Sequence, residues 1–184
     1  MKATSKYSEE QILEGCRKGD RLMQKALFDA YAPVFYPVCA RYVGWEAGKD
    51  VLQDSFITIF EKIGTFRKEG SFEGWMRRIV VNTALMAVRK AQSSKDVTSI
   101  EETAVPEVRY QDYGIIEQIS ARELTEVIAR LNPGMRNVFN LCVLDGYSYR
   151  EAAEMLGIQE NSVGSQLSRA RALLREMINK RNDV

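Results

Sequence analysis

The stretch ENSVGSQLSRARALLR, residues 160–175, carries on one side the residue types that bind base edges rather than those that break bonds. At helical spacing Val163, Leu167, Ala170 and Leu174 share a side. The opposite side gathers Ser162, Ser165, Ser168 and Arg169, with Gln166 and Arg171 on the flanks. Arginine can pair with guanine O6 and N7 and glutamine with adenine, while short serines allow close approach. The preceding SYREAAEMLG opens with a capping box, Ser148 and Glu151, and offers Ala152, Ala153, Met155 and Leu156 as packing contacts. It closes on Gly157, which can take a positive φ without steric cost. Asn161 or Ser162 is expected to cap the next helix. Two short helices at so tight a joint spell a helix-turn-helix, whose second helix enters the DNA major groove. Arg150 and Arg175 suit phosphates. The bland alternative is a helical hairpin with a polar outer face.

Bond-making chemistry finds little to work with. The chain of 184 residues has no histidine, hence no imidazole general base, zinc ligand or pH switch. Cys16, Cys39 and Cys142 are far apart and in no ligand spacing, as expected of a reduced cytosolic protein. Neither a phosphate-binding glycine loop nor a metal spacing occurs, so no cofactor, metal or small-molecule substrate is expected. No apolar run approaches a membrane span, and MKATSKYSEE lacks a signal core. A soluble cytoplasmic protein is the expectation.

The elements that would position these residues are nearly all helical. Ser8 begins S-E-E-Q, a capping box, ahead of a helix ending at Gly19. Helical spacing runs from Arg21 to Tyr42, where Pro33 and Pro37 predict a kink or break. GWEAG reads as a turn. Asp50 to Ile63 forms a helix with a broad apolar face and polar residues that include Gln53, Asp54 and Glu61. GTFRKEGS is a loop, and Phe72 to Lys90 a further helix. Residues 91–115 have no lasting period and read as a linker. Helical spacing resumes at Ile115, breaks at NPG, and continues from Met135 to Leu144. The expected architecture is all-α, with small helical domains at 1–90 and 116–184.

Charge follows this division. Residues 66–90 hold six basic and two acidic residues, and residues 159–181 hold five and two. Residues 91–126 hold three basic against eight acidic. The net charge of +1 thus conceals two basic regions around an acidic one, a pattern that fits a polyanionic partner as well as solvated faces.

Read as a whole, LNPGMRNVFNLCVLDGYSYREAAEMLGIQENSVGSQLSRARALL resembles region 4 of bacterial sigma factors. DVLQDSFITIFEKIGTF resembles the D-x-x-Q-(D/E)-x-F helix of region 2, and GSFEGWMRRIVVNTALMAVRK its promoter-melting segment. Two such motifs in order, with no domain between them, resemble the extracytoplasmic-function (ECF) sigma factors.

The resemblance implies core RNA polymerase and promoter DNA as partners, and an anti-sigma factor, in this family often membrane-anchored. It implies that Asp50, Gln53 and Asp54 dock on polymerase. The loop from Phe66 to Phe72, with Arg67, Lys68 and Ser71, and Asn82 would hold a base flipped from the −10 element. Arg77, Arg78 and Arg89 would bear on phosphates. Phe66, Phe72 and Trp75 are candidate base stackers, although such aromatics are more often core, which is the better reading for Trp75. Arg150, Ser162, Ser165, Gln166, Ser168, Arg169 and Arg171 would read the −35 element. The acidic linker, with Glu101, Glu102 and Glu107, would thread the polymerase RNA path; a plain acidic tether fits equally. Met86 departs from the family, which usually has Asp four residues beyond the Asn. Two rivals remain: a response-regulator-type DNA-binding protein, which would need strands in residues 1–90, and a helical interaction module without DNA function.

Overall fold

A computed structural model describes residues 7–93 and 121–182 of this chain. The fold is all-α, as the periodicity implied, and no strand occurs among the described residues. The residues group into two compact units, 1–87 and 88–184.

In the first unit, helix α1 (Glu9–Arg17) starts from Ser8 as the spelling predicted. The Ser8 hydroxyl accepts from the Gln11 N–H at 3.2 Å, and the Gln11 side chain accepts from the Ser8 N–H at 2.8 Å. Helix α2 (Arg21–Val43) is capped by Asp20 and continues through Pro33 and Pro37, so of the expected kink or break the break does not occur. Each proline removes one backbone N–H, but burial of Leu27, Phe35, Val38 and Cys39 on both sides holds the continuous helix against the core.

The turn expected at GWEAG shrinks to Gly44, at φ +87°, and helix α3 spans Trp45–Lys62. Gly48 is therefore a helical residue whose smallness serves packing. A Cβ there would stand 3.2 Å from the Ala40 backbone nitrogen, so glycine lets α3 cross α2 closely. The Tyr36 hydroxyl donates to the Trp45 carbonyl at 2.8 Å and ties the same corner. A 3-10 turn (Ile63–Thr65) leads through a loop to α4 (Phe72–Ser93). Residues 91–93, read as linker, are thus the last turn of a helix. Phe35, Phe56, Ile59, Met76, Val80 and Val81 form the core of this unit.

In the second unit α5 spans Ala121–Ala129 and α6 Pro133–Phe139, with Asn132 capping α6 by accepting from the Met135 N–H at 2.9 Å. The Arg136 guanidinium donates to the carbonyls of Ala129 and Leu131, at 2.6 and 2.8 Å. It thereby satisfies carbonyls that the end of α5 leaves open, and its burial lowers its pKa. A π-helical turn (Asn140–Leu144) precedes α7 (Tyr149–Leu156) and α8 (Glu160–Asn182). The remainder of the acidic linker, Glu101, Glu102 and Glu107 included, lies outside the described residues, as does the start expected at Ile115.

Candidate nucleic-acid interface

The helix-turn-helix is built from neighbours in sequence. The Ser148 hydroxyl accepts from the Glu151 N–H at 3.3 Å and the Glu151 carboxylate from the Ser148 N–H at 2.9 Å. Gly157 sits in the left-handed region at φ 69°. The N–H groups of Gly157 and Ile158 both donate to the Ala153 carbonyl, at 2.8 and 3.1 Å, which closes α7. The Gln159 carbonyl accepts from Ser162 and Val163, so α8 begins earlier than predicted. Asn161 and Ser162 fall inside its first turn and cap nothing.

Val163, Leu167, Ala170 and Leu174 are buried together on α8; Ser165, Ser168 and Arg169 are exposed on its other side, and Arg171 is exposed on the flank. Ser162 is half-buried. Gln166 is also half-buried, with its Oε1 2.9 Å from where a Cβ on Gly134 would stand, so it lies against the first turn of α6. Arg150 is exposed and paired with Glu154 at 3.3 Å; a phosphate contact would exchange that pair. Tyr149 went unnoticed in the sequence. Its ring lies over Gly164, 3.6 Å from a Cβ position there, and it remains 42% exposed beside α8. No spacing rule singles it out.

The loop at 66–71 is built differently. Phe66 and Phe72 are 6% and 2% exposed, which corrects their reading as base stackers. Their rings lie 5.1 Å apart and meet Trp75, which stacks on Phe72 at 5.8 Å. Their burial is the hydrophobic floor that carries the loop. Trp75 is half-buried in the same cluster, as read. The Ser71 hydroxyl accepts from the Gly74 N–H at 3.0 Å and caps α4, so its side chain has a structural task. Arg67 is exposed. Lys68 has a positive φ of 59° and pairs with Glu10 of α1 at 2.8 Å. That hydrogen bond, with the ammonium charge, holds Glu10 below the usual carboxylate range. A shallow pocket of about 260 Å³ between loop and α1 is lined by Glu9, Glu10, Leu13, Phe66, Lys68 and Gly70. Asn82 does not line it.

On α4, Arg78, Asn82 and Arg89 are exposed, while Arg77 is half-buried and paired with Glu73 at 3.5 Å. Met86, one turn beyond Asn82, is 65% exposed. On α3, Asp50, Gln53 and Asp54 share an exposed face, and Ile57 lies among them, 56% exposed. The sequence reading overlooked Ile57, although its spacing from Gln53 and Asp54 puts it on their side. Cys16 and Cys39 are buried, which pushes their thiols up to about 11 and about 12 and keeps them protonated. No cluster of potential metal ligands occurs among the described residues, and no described helix is long and apolar enough to cross a membrane.

Comparison with known proteins agrees with this geometry. Residues 27–94 match the family description Sigma-70 region 2, and residues 121–174 match Sigma-70, region 4. The ECF RNA polymerase sigma-E factor of Escherichia coli K12 is 29% identical over 182 residues, spanning 91% of this chain and 93% of the relative. The protein of that name from Haemophilus influenzae is 26% identical, over 93% of this chain and 95% of the relative. The sigma factor RpoE of Bartonella quintana, in a complex with the anti-sigma factor NepR, has a similar fold. Its TM-score is 0.54 at 21% identity, over 84% of this chain and 96% of that one. CnrH, in complex with the cytosolic domain of CnrY, gives a TM-score of 0.50 at 20% identity, over 94% and 97%.

Proposed function

The chain belongs to the ECF group of the sigma-70 family, and we propose how its surfaces divide the work of such a factor. It binds core RNA polymerase and directs promoter-specific DNA binding, promoter opening and transcription initiation. Its contribution is binding energy invested in strand separation and base capture, with no covalent step, and its place of work is the cytoplasm.

The C-terminal domain, residues 116–184, reads the −35 element. Ser162, Ser165, Ser168, Arg169 and Arg171 face the groove from α8, with Gln166 at its margin and Arg150 on phosphate. The N-terminal domain, residues 1–90, opens the −10 element. The loop with Arg67, Lys68 and Ser71, and Asn82 on α4, receive the unstacked strand, while Arg77, Arg78 and Arg89 bear on phosphates. Phe66 and Phe72 hold the loop from beneath. Asp50, Gln53 and Asp54, now joined by Ile57, dock on core polymerase. An anti-sigma factor is a further partner; the complex of the similar Bartonella protein supports it.

One observation carries the reading. Two sigma regions stand in order on one chain, and the second presents its serines and arginines opposite the buried Val163, Leu167, Ala170 and Leu174. In vitro transcription from a genomic promoter pool, with cognate core polymerase, tests it. Protein-dependent transcripts sharing two spaced upstream elements are expected. A folded protein that neither binds core nor initiates would sink it in favour of a conventional DNA-binding regulator.

A further inference from the structure

Helix α1 precedes the region 2 match, which begins at residue 27, yet it holds the 66–70 loop at two points. The Arg17 guanidinium, on an exposed residue of α1, donates to the carbonyl of the buried Phe66 at 2.8 Å, across 49 residues of sequence. The Glu10 carboxylate accepts from the Lys68 ammonium at 2.8 Å, across 58 residues. Between these points Leu13, 4% exposed, and Phe66 help to line the pocket. Lys68 itself has a φ of 59°, which a residue bearing a side chain adopts where its surroundings hold it there.

A loop that captures an unstacked nucleotide must present its groups in one arrangement before the nucleotide arrives, or binding spends its energy on ordering the loop. Arg17 supplies such an anchor at the loop's first residue. The Glu10–Lys68 pair is of another kind. Its side chains are 80% and 58% exposed, so the pair is weak and readily exchanged. A phosphate offers Lys68 the same acceptor chemistry as the carboxylate, with more charge.

We propose that α1 is part of the device that reads the −10 element. Arg17 positions the 66–70 loop, and Glu10 keeps Lys68 over the pocket until a DNA phosphate replaces the carboxylate. The proposal rests on assigning −10 recognition to this loop.

The test uses the full chain as holoenzyme with core polymerase, comparing wild type with Arg17→Ala, Arg17→Lys and Glu10→Gln. Transcripts are read from a promoter library randomised over the −10 element with the −35 element constant. Binding to a −10 single-stranded oligonucleotide is followed over a salt series, and binding to a −35 duplex serves as control.

Arg17→Ala is expected to flatten the −10 base preference roughly tenfold, about what one well-placed contact supplies, and Arg17→Lys to recover part of it through its remaining donor. Glu10→Gln is expected to bind the single strand more tightly at low salt, with a slope steeper by about 0.7, one phosphate contact on single-stranded DNA. Affinity for the −35 duplex stays at the wild-type value throughout. Base preference and salt slope that coincide with wild type in Arg17→Ala and Glu10→Gln would overturn the proposal. If Arg17→Ala does not fold, wild-type behaviour of Glu10→Gln alone overturns it. A wild-type holoenzyme that initiates nowhere in the library would defeat the sigma reading itself, and this inference with it.

Discussion

Helix α8 and the 66–71 loop, the two surfaces proposed to meet DNA, are held in place by different means. At α8 the turn and cap are close in sequence, Ser148 with Glu151 and Gly157 with Ala153, while the buried stripe from Val163 to Leu174 packs on α5 and α6 as well as α7. At the loop the supports come from far away, Arg17 and Glu10 on α1 and Tyr31 on α2 beneath Phe72. The first takes its turn and its cap from residues within the motif itself. The second is a surface that exists only when three helices have packed. Damage should therefore stay local in one case and spread in the other.

Gly48→Leu should have the largest effect. Its first carbon already stands 3.2 Å from the Ala40 backbone, which has no rotamer by which to yield. Overpacking of this kind costs about 3 kcal/mol. Urea unfolding should show that loss, and open-complex formation should fail while the −35 duplex is still bound. Loss of both activities together would break the contrast between the regions.

Arg169→Ala comes next. Removing one bidentate base contact should weaken −35 duplex binding by about 2 kcal/mol, roughly thirtyfold, measured by fluorescence anisotropy. Core binding and the thermal midpoint should remain as in wild type, because Arg169 is exposed.

Gly157→Ala follows, since a side chain at φ 69° costs about 1 kcal/mol. The loss should appear in thermal unfolding and in −35 binding, and core binding should be unaffected.

The smallest effect on stability belongs to Glu10→Gln, whose thermal midpoint should match wild type at neutral pH. The depressed pKa of folded Glu10 means that its pairing contributes fully above the usual glutamate value near 4.3 and is lost as pH falls through the lowered one. At neutral pH salt, not protons, is therefore the lever on this pair. A salt slope equal to that of wild type would remove the distinction drawn for the loop.

Much of the C-terminal site was legible in the sequence, because every determinant lies within one or two helical turns of the next. The capping box at Ser148, the turn at Gly157 and the inner stripe of α8 follow from local hydrogen bonding and a period of 3.6 residues. Gln166 escaped that logic. It sits on the flank of the helix as spaced, but its side chain lies against Gly134 on another helix, which no local pattern records. The loop was legible as a loop, but the burial of Phe66 and Phe72 was not decided, because an aromatic beside glycines and charges looks the same whether it covers a base or a core.

Composition and periodicity alone settled that this chain is helical, that imidazole catalysis is excluded, and that a polar basic face lies opposite a buried stripe near the C-terminus. Those are properties of neighbouring residues, and short-range physics suffices for them. Packing settled the rest. It carried α2 through two prolines, turned Gly48 from a turn residue into a helix crossing, buried Phe66 and Phe72, left Ile57 and Met86 in solvent, and brought Arg17 to the Phe66 carbonyl. Such outcomes depend on which surfaces meet across tens of residues, and a linear pattern holds no record of that until the helices have packed.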